Sequence, residues 1–250
     1  MKEIISIISK KGGVGKTMTA QTLGAGLMRK KKKVLFIDLD SQMNLTYTTG
    51  AKFQKPTSYE VLMGNATAKE AIQQTENGDI IPASEFLAGA DLTINETGKE
   101  YRLKEALEPI LNDYDYVVID TPAALGTLTI NALTASDSTV IPVQADVLSI
   151  QTLVLIKNTL ESVKKYCNQK LKIKGILVTR YSGRAILSQD MLENLKECSK
   201  ALNTKVFKTP IRECIAAKES QAVKKDIFSY APRSNAAKDY ESFISEFLKK

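Results

Sequence analysis

Ser9-Lys10-Lys11-Gly12-Gly13-Val14-Gly15-Lys16-Thr17 stands between an apolar run, Ile4 to Ile8, and a helical pattern from about Thr17 to Arg29. The run reads as a buried strand. Strand, glycine-rich turn and helix in that order are the setting in which such a turn holds phosphate. Glycines let backbone N–H groups close around phosphate oxygens, and the helix N-terminus adds a favourable dipole. On this reading Gly12, Gly13, Val14, Gly15, Lys16, Thr17 and Met18 line a nucleotide site. Lys16 reaches the β- and γ-phosphates, and Thr17 offers its hydroxyl to Mg²⁺. The bland alternative is a chance basic turn, and the agreement of glycines, lysine, threonine and flanking elements speaks against it.

Outward from the loop the pattern repeats. After the basic run Arg29–Lys33, Val34-Leu35-Phe36-Ile37 reads as a second buried strand, ending in Asp38-Leu39-Asp40-Ser41-Gln42. Carboxylates at the end of an apolar strand sit where open α/β sheets bind ligands. The basic run suits either an anionic partner or a solvated helix end. Asn44 to Gly78 is less legible, with helical signals at Ser58–Met63 and Ala68–Gln74, and Asp79–Pro82 resembles a short strand. Leu103–Leu111 is expected to be helical. Tyr116-Val117-Val118-Ile119 is a strand ending in Asp120, placed as the Mg²⁺-holding aspartate of phosphate-loop enzymes is. Thr139–Val143 and Gly175–Thr179 are further strands, with Ile150, Leu153, Val154, Leu160 and Val163 at helical spacing between them. In the tail, Ala236, Tyr240, Phe243, Ile244 and Phe247 share one helical face. That face suits docking on the core or a membrane surface.

Apolar strands alternating with helices predict an α/β fold with a mostly parallel β-sheet flanked by helices on both faces. No Pro-, Gly- or Ser-rich linker divides the 250 residues, so a single domain over 1–250 is expected. No apolar run approaches a membrane span and no leader pattern opens the chain, which predicts a cytoplasmic protein. Three widely spaced cysteines argue against a disulfide framework, and the absence of histidine excludes histidine-based metal or acid–base chemistry. Charge is uneven: residues 1–150 carry 15 Lys/Arg against 18 Asp/Glu, residues 151–250 carry 20 against 10. The basic half points to a polyanion, nucleic acid before anionic membrane.

The loop departs from the general phosphate-loop pattern in having Lys10 where a glycine is usual, with Lys11 just before the Gly-Gly pair. It resembles the deviant Walker A loop of the ParA/MinD ATPases. The resemblance extends through Phe36–Gln42, with Ser41 for the usual proline, and through Ile80–Ser84 and Leu87–Ala90. It continues in Ile119–Gly126, Pro142-Val143-Gln144, Ile211–Glu213, Lys218–Ala222 and Tyr230–Tyr240. It implies ATP and Mg²⁺ as cofactors and an ATP-dependent sandwich homodimer. The dimer would bind non-specific DNA, be nucleoid-associated, and be released when a ParB-like centromere-binding protein stimulates a weak intrinsic ATPase. By position, Lys11 would reach the partner's nucleotide, Asp40 would orient the attacking water, and Asp38 would join Thr17 and Asp120 around Mg²⁺. Pro210 would lie on the adenine side. For DNA the carry-over is poorer, since Ala216 stands where some members have arginine. Arg184, Arg212, Lys218, Lys224 and Lys225 are the expected phosphate contacts, on the basic half. No N-terminal helix-turn-helix extension is expected. A MinD-like membrane-cycling ATPase is the alternative; it normally carries a basic amphipathic tail, and no membrane partner is expected here.

Overall fold

The computed structural model describes residues 2–182 and 186–249. Seven strands form one sheet: β1 Glu3–Ile7, β2 Val34–Asp38, β3 Gln73–Thr75, β4 Gly78–Ile81, β5 Tyr116–Asp120, β6 Ser138–Gln144 and β7 Lys172–Thr179, in the order β3-β4-β2-β5-β1-β6-β7. All pairings are parallel except β3 with β4. The mostly parallel α/β expectation therefore holds.

Alternate residues of the central strands feed opposite faces, as a period of two requires. In β2, Val34 and Phe36 enter one core while Leu35 and Ile37 enter another. In β5, Tyr116 and Val118 part from Val117 and Ile119 in the same way. Both faces are covered, so these strands read as continuous apolar runs rather than alternating ones.

The first face carries α1 (Lys16–Arg29) and, against it, the tail helix Asn235–Phe247. Helix α1 lies close to β2: a Cβ on Gly24 would sit 2.2 Å from the Phe36 ring, so only glycine permits this approach. The stripe Ala236, Tyr240, Phe243, Ile244 and Phe247 is buried, and the Tyr240 hydroxyl meets Thr19 Oγ1 at 3.2 Å. Of the two roles open to that stripe, the fold uses it for docking.

On the second face, helices Ser58–Leu62, Ala68–Ala71, Arg102–Leu107 and Thr127–Ala135 cover β2, β4 and β5. Helix Val147–Tyr166 covers β6 and β7. Two expectations need correction. The signal over Ala68–Gln74 stops at Ala71, because Gln73–Thr75 pairs antiparallel with Gly78–Ile80 around a tight turn. Val154 is 58% exposed: Leu153, Ile156, Leu160 and Val163 form the buried stripe, and residue 154 lies about 100° round the helix from it.

The six parallel strands all end on one edge, where β2, β5, β6 and β7 bring Asp38, Asp120, Gln144 and Thr179 to the same rim as the loop after β1. The chain winds first to β2 on one side of β1 and later to β6 on the other. That reversal opens the crevice in which such sheets bind ligands.

Candidate functional site

The loop Ser9–Thr17 leaves β1 and enters α1 through Gly15, which caps the helix with φ of 84°. No side chain tolerates that conformation well, and the space around a Cβ there is open on the ligand side. The backbone N–H groups of Gly12 to Thr17 donate to no protein acceptor among the described residues. A row of unbonded N–H groups at a helix start is an anion site. Lys16, 8% exposed, adds a cation at its centre.

Behind the loop two carboxylates share the strand ends. The Thr17 hydroxyl donates to Asp120 Oδ2 at 2.6 Å, whereas Asp120 Oδ1 is buried with no hydrogen-bond partner. Asp38 is firmly held: Thr46 N and Thr46 Oγ1 each donate to its Oδ2 at 2.8 Å, and Asp40 N donates to Oδ1 at 3.0 Å. Burial pushes both carboxyls above the usual carboxylate range. The donors from Thr46 and Asp40 moderate the rise at Asp38, while the neighbouring Asp38 charge adds to the rise at Asp120. A buried carboxylate oxygen without a partner, beside a hydroxyl, fits a hard divalent cation. Among the described residues no cluster of three or more acidic, Cys or His side chains forms a closed metal cage. That donor set suits Mg²⁺, which is bound through one or two carboxylates completed by phosphates and water.

A cleft of about 610 Å³ opens over the loop, lined by Gly12, Gly13, Gly15, Lys16, Thr17 and Met18 on one side and Asp40, Gln42, Asn44, Tyr47 and Thr48 on the other. Asp40 is half-buried at its rim, where its Oδ1 accepts from Gln42 N at 3.0 Å. A neighbouring cavity of about 170 Å³ joins Gly13, Gly15 and Met18 to Arg180 and Ile211–Cys214. Pro210, expected on the base side, lines neither; the bend of the chain presents the next four residues instead.

Lys11 does not point into its own phosphate cradle. Its ammonium pairs with Asp146 Oδ2 at 2.5 Å and donates to Gln144 Oε1 at 3.0 Å. Burial acts against ionisation of Asp146, but Lys11 and the Ser149 donors hold its carboxyl below the usual range. Thr46, Gln144 and Asp146 were not among the expected site residues. Thr46 carries no spacing signal, since its role depends on an eight-residue return of the chain to Asp38.

The expected phosphate contacts on the basic half separate. Arg212 is committed within the fold, its Nε and Nη2 donating to Asp239 at 2.8 and 2.6 Å. The guanidinium clamps the 212 segment to the tail helix while its side chain stays 46% exposed. Lys218 lies 3.5 Å from Glu213, Lys224 stacks its ammonium 4.7 Å over the Tyr47 ring, and Lys225 is exposed. Arg184 lies outside the described residues.

A family model described as an AAA domain matches residues 2–173. The chain is 41% identical over 251 residues to the sporulation initiation inhibitor protein Soj of Bacillus subtilis, covering 98% of each. It is 34% identical over 252 residues to the chromosome partitioning protein ParA of Myxococcus xanthus, covering 99% of this chain and 88% of that one. Among solved structures, cobyrinic acid a,c-diamide synthase from Mycobacterium smegmatis, with bound ATP analogue and magnesium, superposes with a TM-score of 0.85 at 30% identity, covering 98% of this chain and 93% of that one.

Proposed function

The chain belongs to the ParA/MinD-type family of partition ATPases, and on that premise we propose that it segregates DNA by an ATP-driven cycle of dimerisation and DNA binding. Its cofactors are ATP and Mg²⁺: the unbonded N–H row and Lys16 hold the β- and γ-phosphates, and Thr17 and Asp120 hold the cation, with Asp38 beside them. Held there, Mg²⁺ would neutralise charge on the phosphates. Asp40, at the rim of the cleft, orients the attacking water. The reaction is hydrolysis to ADP and phosphate, slow until a ParB-like partner stimulates it. The proposed setting is the cytoplasm, on the nucleoid, and residues 1–250 act as one ATPase domain.

The observation that carries this reading is the position of Lys11. A loop lysine held away from its own phosphate cradle, on Gln144 and Asp146, is placed to serve a nucleotide outside its own subunit once that pairing is exchanged. A sandwich dimer supplies that nucleotide. It also places two basic halves together, doubling the phosphates that can be neutralised at once. With Arg212 committed to Asp239, the proposed DNA contacts fall to Lys218, Lys224 and Lys225.

Fluorescence anisotropy with duplex DNA at several salt concentrations tests the reading. ATP is expected to raise both affinity and the steepness of the salt dependence. Replacing Lys218, Lys224 and Lys225 together by Ala should weaken binding for all sequences alike and flatten the slope. Affinity independent of nucleotide, or retention on anionic vesicles instead of DNA, would count against the partition cycle.

A further inference from the structure

The peptide groups of the phosphate loop are held from behind. The Thr179 hydroxyl donates to Val14 C=O at 2.7 Å, with Val143 C=O a more distant acceptor at 3.1 Å. The Gly13 carbonyl accepts from Arg180 Nη1 at 3.3 Å and from Gln144 Nε2 at 3.4 Å. In a planar trans peptide the C=O and the following N–H point in opposite directions. Drawing the Gly13 oxygen back therefore turns the Val14 N–H forward. Drawing the Val14 oxygen back does the same for the Gly15 N–H. Both N–H groups are among those that donate to no protein acceptor.

The three anchoring residues come from the adjacent strand ends. Gln144 ends β6 and Thr179 ends β7, where it is 2% exposed. Arg180 follows with φ of 49°, a left-handed conformation that costs an ordinary residue energy and recurs at functional sites. Its guanidinium is fixed on the far side by Glu213, with Nη2 3.0 Å from Oε1. Arg180 thus ties the loop to the segment that lines the smaller cavity.

We propose that Thr179 and Arg180, with Gln144, are positioning residues that preset the amide orientation of the phosphate loop before any ligand arrives. The inference rests on the nucleotide reading of the loop and extends it to residues that touch no phosphate. Donors already aimed at an anion cost no reorganisation when it binds, so the effect appears as affinity for phosphate groups.

Titration of the full chain with inorganic pyrophosphate by calorimetry tests this. Thr179→Val leaves the Val14 carbonyl without its donor, and Arg180→Met removes one anchor from Gly13 without disturbing the core. Each is expected to weaken pyrophosphate binding by about 3- to 10-fold, the usual effect of one lost hydrogen bond. Thr179→Ser should restore the wild-type value. In the ligand-free protein, the Val14 and Gly15 amide resonances should shift in the Val variant and not in the Ser variant. Unchanged pyrophosphate affinity in both Thr179→Val and Arg180→Met overturns the proposal, as does a loss in Thr179→Val that Ser fails to restore. A wild-type chain that binds neither pyrophosphate nor ATP would remove the nucleotide reading itself. Wild-type binding with unmoved variants would remove only the presetting.

Discussion

Asp38 and Asp120 are register partners on the adjacent parallel strands β2 and β5, and both are fully buried. Three donors satisfy Asp38, while one oxygen of Asp120 has none. Two like charges are thus enclosed together, with Lys16 and the Thr17 hydroxyl as the opposing influences at Asp120. In the absence of ligand this arrangement opposes folding whenever both carboxyls are ionised.

The consequence is a pH dependence of stability with a definite sign. Burial first, and then the Asp38 charge, push the Asp120 carboxyl up to about 8, above its unfolded value. The folded state therefore holds a proton that the unfolded state releases. The contribution to stability is complete below the unfolded value and is lost as pH rises through about 8. Thermal melts of the nucleotide-free protein should fall in midpoint as pH rises from mildly acidic toward about 8 and level off above it. Asp120→Asn should flatten that fall and raise the midpoint at the alkaline end. A steeper fall in the variant would contradict the assignment.

Lys16→Ala removes the buried cation at the centre of the N–H row. Contacts of this kind in a water-poor site are worth several kcal/mol, so ATP affinity should drop by roughly 100-fold or more. Calorimetry decides the matter, and affinity near that of the wild type would remove the phosphate-loop assignment.

At Asp40 binding and turnover should separate. A carboxylate that positions water acts in the transition state more than in the ground state. Asp40→Ala is expected to bind ATP and to remain dimeric, with turnover lowered by about 100-fold. Sizing chromatography with ATP and a phosphate-release assay give the two readouts. A variant that stays monomeric with ATP, while the wild type dimerises, would show that the role is wrong.

For Lys11 the structure adds a second lever. Lys11→Ala should bind nucleotide as a monomer and fail to dimerise. Asp146→Asn keeps an oxygen to cap the helix at Ser149 N, 2.8 Å away, but removes the charge that holds Lys11. It should dimerise at lower ATP than the wild type, as measured by light scattering. Reduced dimerisation in that variant would mean that Asp146 supports the dimer rather than restraining it.

The loop, the strand-borne aspartates and the parallel sheet were legible because each depends on neighbours in sequence. Glycines before Lys16-Thr17 specify a turn, and runs such as Val34–Ile37 and Tyr116–Ile119 specify strands buried on both faces. The same local logic separated the stripe of the tail helix, but it could not choose between core and membrane as its destination. Packing against α1 chose. The same limit applied to charge. The sequence by itself shows that residues 151–250 are basic, yet Arg212 and a free lysine look alike until Asp239 is brought 27 residues back to meet the guanidinium. Thr46 beneath Asp38, Asp146 against Lys11 and Thr179 behind Val14 belong to the tertiary structure alone. Each is a directional hydrogen bond or ion pair between segments joined by no periodic pattern, and its geometry exists only after the strand ends have been gathered on one edge of the sheet.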